Sequence, residues 1–198
     1  MKIIENIPVE IEKEKVLKSL GYYRKKKSVL SPSIDALIEG EMKKAKGLIK
    51  GKGIYIILPV ESKSKDKIIL KNISLKGKAI ARTMAKAKRI ALFVGTIGPA
   101  LEAEVNQLYQ KDEYTKATIL DTIGSVAADG GAEYLNSIII EKAKKRSTPR
   151  FSPGYGDWDL SIQKRLLEIT QAAKIGVTCN EAFFMIPRKS VSAVIGLY

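Results

Sequence analysis

From Ile34 onward, Leu37, Ile38, Met42, Ala45, Leu48 and Ile49 recur at intervals of three and four behind Ser31, Pro32 and Ser33. That is the spacing of one apolar helix face, preceded by residues that start helices. The same reading runs along the chain. The opening "KIIENIPV" suits an edge strand, and a short helix at 11–20 ends where Gly21 supplies a stop. "GIYIILPV" (53–60) and "KIILKN" (67–72) have strand composition and are joined by the polar "ESKSKD", which predicts an antiparallel pair. Ser74 is placed to cap a helix that carries Ile80, Met84 and Ala87 on one face.

An apolar run of strand type, Ile90 to Val94, leads into a Gly95-Thr-Ile-Gly98 turn and then a helix with Pro99 early in it. The longest periodic stretch, 114–145, spaces Ile119, Ile123, Val126, Gly130, Tyr134 and Ile138 by three or four and predicts one long, largely buried helix. Gly124, Gly130 and Gly131 interrupt it, each at up to about 1 kcal/mol relative to Ala, so close packing against another element is expected to offset them. Asp121, Asp129 and Glu133 lie eight and four apart on this helix, where they could share a face or simply be solvated. "SIQKRLLEITQAAK" predicts a further helix, capped by Asp159 or Ser161, with Ile162, Leu166 and Ile169 on one side. In the tail, two strand-like runs flank the turn-forming Pro187, Arg188 and Lys189. Helices and strands mix without a strict βαβ rhythm, so the expected class is α+β: a largely antiparallel twisted sheet packed with several helices, in a single domain over 1–198.

Composition narrows the chemistry. The 198 residues include no histidine, which removes Ser-His and Cys-His nucleophile pairs, mixed His/Cys zinc sites and the commonest general base near neutral pH. Cys179 is the only cysteine, so no internal disulfide forms. No apolar run approaches the roughly 18 residues of a membrane helix, and the N-terminus interleaves acids where a signal peptide is apolar; a cytoplasmic protein is expected. The formal charge is +14. Basic clusters at 24–27, 63–67 and 142–146 fit a nucleic-acid-binding module, a docking face for an acidic partner or a solvated surface. They lack interleaved aromatics and any nucleic-acid motif, which argues against nucleic acid.

Chemical variety concentrates in "RFSPGYGDWD", Arg150 to Asp159. Arg150 offers a rigid fork of N–H donors matched to a carboxylate or phosphate. Pro153 and Gly154 turn the chain so that backbone can approach a ligand, and Tyr155 adds a flat face and a hydroxyl. Asp157 and Asp159 could answer an ammonium, a sulfonium or ribose hydroxyls. Together they suit a zwitterion carrying an aromatic ring; the bland alternative is a surface turn with Arg150 in a routine ion pair. The Gly95–Gly98 turn is a second place where free backbone N–H groups could meet a ligand, or a plain connector.

The order R-x-x-x-G-Y (Arg150, Gly154, Tyr155), then "NEAFFMIPRKSVSA" (180–193) after a helix, resembles the S-adenosylmethionine-binding reactivation (activation) domain of cobalamin-dependent methionine synthase. The pattern falls on Glu181, Met185, Pro187, Ser190, Val191 and Ser192, with Ala193 where the family has glycine, and the likeness covers roughly 88–198. It implies a domain that binds S-adenosylmethionine and presents its methyl group to cob(II)alamin for reductive methylation, with an electron from a flavodoxin-type donor. A stand-alone form would act on a separate corrinoid (cobalamin-binding) protein or the remainder of a split methionine synthase. By the same resemblance Arg150 grips the ligand carboxylate, Gly154 and Tyr155 lie against the adenosine, and Glu181 is a polar anchor. Ile195, beside Gly196, replaces a family tyrosine that contacts the ligand; Ser161 replaces a family histidine, and the family's early aspartate has no counterpart that aligns, Asp35 being only a guess. Pro153, Gly95, Gly98 and Glu133 are further candidates. A docking subunit that keeps this fold without the ligand site is the alternative.

Overall fold

The computed structural model describes residues 1–22, 30–71 and 73–198; the 24–27 basic cluster lies outside them. Eight strands and six helices follow in order: β1 (Lys2–Ile4), α1 (Lys13–Ser19), α2 (Pro32–Leu48), β2 (Lys52–Lys63), β3 (Lys67–Leu70), β4 (Ile73–Lys76), α3 (Lys78–Thr83), β5 (Arg89–Thr96), α4 (Ala100–Gln110), α5 (Tyr114–Ala143), α6 (Ile162–Thr170), β6 (Thr178–Cys179), β7 (Met185–Ile186) and β8 (Ser190–Leu197). The main sheet runs β4-β3-β2-β5-β8, with β1 also on β2, and every pairing is antiparallel. The protein is α+β, with a curled antiparallel sheet packed against helices. None of the described helices is long and apolar enough to cross a membrane.

Strand alternation decides what each sheet face buries. Tyr55, Ala91, Phe93, Ala193, Ile195 and Leu197 pack beneath Ala132, Leu135 and Ile139 of α5. Opposite neighbours serve the other face, where Ile90, Leu92 and Val194 meet Ile80 and Met84 of the α3 region together with Leu166 of α6 and Trp158. A third cluster joins α1, α2 and α4 to the outer side of α5. With apolar neighbours on two sides, α5 stays regular for 30 residues. A Cβ on Gly124 would stand 2.6 Å from Leu101 Cδ2, so this helix glycine lets α4 approach, as the periodicity suggested.

Three expectations change. Ser74 lies in β4, and the helix after it is only Lys78–Thr83; the apolar spacing survives because Ile80, Met84 and Ala87 are buried all the same. Strand β5 continues through Thr96, so Gly95 belongs to the sheet rather than to a turn. Gly53 and Gly95 are register partners, and a Cβ on either would strike Leu135, at 2.4 and 2.8 Å. They form the notch that seats α5. Finally, the helix from Ile162 stops at Thr170, where Gln171 turns left-handed (φ 56°) and a short 3-10 turn takes over at Ala172–Ile175.

Candidate functional site

The edge of β8 carries the candidate site. Residues 146–151 run beside it as an irregular extra strand: Thr148 N–H donates to Gly196 O at 2.9 Å, and Phe151 and Val194 exchange backbone bonds at 3.0 and 2.9 Å. Alternation sends Phe151 to the α6 side, where its ring lies 5.9 Å from that of Trp158, and Arg150 to the α5 side. There Arg150 Nη2 donates to Asp129 of α5 in an ion pair. The arginine side chain is only 26% exposed, and its Nη1 is buried without an acceptor in the protein. Asp129 supplies the counter-charge, and one N–H group of the fork still lacks an acceptor within the protein.

Beyond Phe151 the chain closes on itself. Gly154 N–H donates to Trp158 O at 2.8 Å, and Trp158 N–H to Tyr155 O at 3.1 Å. Gly154 and Gly156 take φ of 85° and 59°, the left-handed region that glycine enters without a Cβ penalty. Trp158, 2% exposed, nails the loop to the core, while Tyr155 stands 68% exposed. Asp157 accepts from Lys78 N–H at 2.7 Å and Ala79 N–H at 2.9 Å, and so caps α3. Those bonds hold its carboxyl below the ordinary aspartate range. Asp159 accepts from Ser161 N–H at 2.7 Å, and bonding to Ser161 likewise lowers its carboxyl. Both acids that the sequence offered to a ligand are thus engaged with backbone.

A cleft of about 390 Å³ opens beside this loop. Pro153, Tyr155 and Gln163 of the loop and α6 line it together with Phe184, Arg188 and Val191 of the segment leading into β8. That segment begins with a turn in which Phe184 N–H donates to Asn180 Oδ1 at 2.9 Å, and continues through 187–189. Lys189 anchors that segment to α5 and α4: its Nζ lies 2.9 Å from Asp121 Oδ1 and 2.8 Å from Ser125 Oγ, and its backbone N–H donates to Glu102. Arg188, 61% exposed with its Nε 3.7 Å from Glu102 Oε2, adds a cation to the cleft.

The structure divides the sequence candidates. It brings Pro153 and Tyr155 to the cleft, while Gly154, exposed between them, and Arg150, on the α5 side of the strand leading into them, lie outside its lining. Glu181 is exposed on the turn after β6, outside the cleft lining. The Ile195 side chain is fully buried under α5, outside the cleft lining. Gly196 is also outside that lining, and a Cβ there would lie 2.6 Å from that of Ala87. Gly95 serves helix packing, and Gly98 is a buried turn residue whose N–H is satisfied by Thr96 Oγ1 at 3.1 Å. Glu133 pairs with Lys15 at 3.4 Å, and Asp35 pairs with Lys13 at 2.6 Å. Asp121, Asp129 and Glu133 of α5 therefore serve three different elements, and the sequence had not singled out Asp129 as Arg150's neighbour. Gln163 was missed too, although a polar residue one turn before Leu166 and Leu167 on a buried helix face was visible as an interruption.

No protein-family model and no curated protein matches the chain. Among solved structures, the crystal structure of the MetH reactivation domain bound to AdoHcy superposes with a TM-score of 0.71, covering 98% of this chain and 77% of that one at 16% sequence identity. The architecture built from β8, α5 and the 150–159 loop is therefore similar in fold to the MetH reactivation domain.

Proposed function

We propose that this chain binds S-adenosylmethionine along the β8 edge and serves as a reactivation module, supporting reductive methylation of cob(II)alamin held by a partner corrinoid protein or the remainder of a split methionine synthase. The observation that carries the reading is the Arg150–Asp129 pair: one guanidinium nitrogen is fixed on the carboxylate while the other is buried without an acceptor. An amino acid's α-carboxylate completes the free side of such a fork, and Asp129, 54% exposed, is left to face the α-ammonium. Tyr155 and the bend at Gly154 supply a flat face and close backbone for the nucleoside. The fold likeness supports the same reading.

The chain's own task is modest, because a sulfonium methyl is already activated and needs orientation and exclusion of competing nucleophiles. A docked corrinoid would supply the methyl-accepting metal, reduced by one electron from a flavodoxin-type donor, and S-adenosylhomocysteine would be released. With no histidine, this chain has no imidazole to offer the cobalt, in keeping with a cofactor carried by the partner. The test is calorimetric titration of S-adenosylmethionine into the protein and into Arg150→Ala. Binding that falls by about 100-fold in the variant, as loss of a charge-assisted contact requires, supports the reading. Equal affinity in a folded variant overturns it, and so does steeply salt-dependent retention on nucleic acid without any response to the nucleoside.

A further inference from the structure

Gln163 opens α6 with its side chain turned inward, and it is 3% exposed. Its Oε1 accepts from Ser192 Oγ of β8 at 2.8 Å, and Ser192 is equally buried. The other end of the amide, Nε2, is buried with no acceptor in the protein. Both residues line the same cleft as Tyr155. A primary amide carries two N–H donors, and a folded chain rarely strands them away from water. The same lining includes Phe184, 62% exposed, and Tyr155, 68% exposed, together with Leu160 and Val191. Exposed flat apolar faces and one buried, oriented donor in the same lining make a slot for a planar heterocycle that presents a ring-nitrogen acceptor.

The geometry points to Gln163 as a specificity-determining residue: Ser192 holds its oxygen, so its Nε2 donates to one ring nitrogen of the adenine. This rests on the nucleoside-binding reading above and adds the group that tells adenine from a ring without that nitrogen. Ser192 is the positioning residue. By taking up Oε1, it prevents the amide from presenting an acceptor to the cleft, so the slot selects acceptors and disfavours a ring N–H at that point. A site built to donate a hydrogen bond rejects the analogue that lacks the acceptor, because the donor is then left buried and unpaired.

The experiment is calorimetric titration with S-adenosylmethionine and three deaza forms, each lacking one adenine ring nitrogen. Wild type should bind one deaza form at least about tenfold more weakly than the parent. The doubly apolar variant Gln163→Met/Ser192→Ala, which strands neither partner, should bind the parent ligand and that deaza form alike, at the weakened level. Its melting temperature should stay at or above that of wild type, since the ligand-free protein loses a stranded donor. A variant that keeps wild-type affinity and discrimination overturns the inference while leaving S-adenosylmethionine binding intact. A variant that melts well below wild type also overturns it, because Gln163 would then be scaffolding. If wild type itself gives no heat with S-adenosylmethionine, this inference and the proposed function fall together.

Discussion

Lys189 Nζ lies 2.9 Å from the Asp121 carboxylate, at a side-chain exposure of only 11%, and this pair ties the segment before β8 to the middle of α5. The segment carries Arg188, which lines the cleft. Removing Asp121 leaves a largely covered ammonium with Ser125 Oγ as its side-chain partner. Asp121→Asn should therefore lower stability by about 1–2 kcal/mol, discounted for the partial exposure of the carboxylate. Urea unfolding checks this; an unchanged midpoint would show that solvent already screens the pair.

The Arg150–Asp129 pair makes a separable prediction about which part of the ligand it holds. Asp129→Asn should weaken S-adenosylmethionine binding by about tenfold, roughly 1.4 kcal/mol. It should leave the affinity for 5′-methylthioadenosine, which lacks the amino-acid moiety, unchanged. Competition binding with the two ligands measures the difference, and an equal loss for both would place Asp129 in general support of the fold.

Gly95→Ala tests the packing role assigned to a residue that the sequence had offered to a ligand. Its Cβ would stand 2.8 Å from Leu135 Cδ1, so α5 must shift or Leu135 must leave its rotamer. Overpacking of this kind costs about 1–3 kcal/mol. Thermal melting should show the loss, partial recovery should follow on adding Leu135→Val, and ligand affinity should not respond.

Asp157 and Glu41 set opposite pH dependences. The Asp157 carboxyl is lowered from 3.8, first by the Ala79 N–H and then by the Lys78 N–H. Its contribution is complete above the unfolded value and is lost as pH falls through the lower folded one. Glu41, 7% exposed on α2, is raised from 4.5 by burial. A raised carboxyl favours folding below the unfolded value, and that advantage fades as pH climbs through the folded one. Asp157→Asn should thus flatten the melting curve against pH below about 4, the unfolded aspartate value. Glu41→Gln should raise the melting temperature at pH 7 relative to wild type and lose that advantage below pH 4.5. Melting at a series of pH values checks both, and a Glu41→Gln effect independent of pH would rule out the buried charge as its cause.

Local sequence determined the elements whose signals are local. Ser31 accepts from Ile34 N–H at 3.3 Å, as its place before the apolar stripe foretold. The β2–β3 pair, the long α5 and the bend at Pro153–Gly154 likewise needed only periodicity, propensity and turn chemistry. The resemblance brought Arg150 and Tyr155 forward, and both stand at the β8 edge. What the tertiary structure alone decided were relations across long separations. Asp157 caps a helix 79 residues earlier, Gly53 and Gly95 make one notch for Leu135, Asp129 finds Arg150, and Gln163 lines the same cleft as Tyr155. Each depends on which elements the fold lays side by side and on the face that each side chain presents. No window along the chain contains that information, because the partner's chemistry is set by packing and not by spacing.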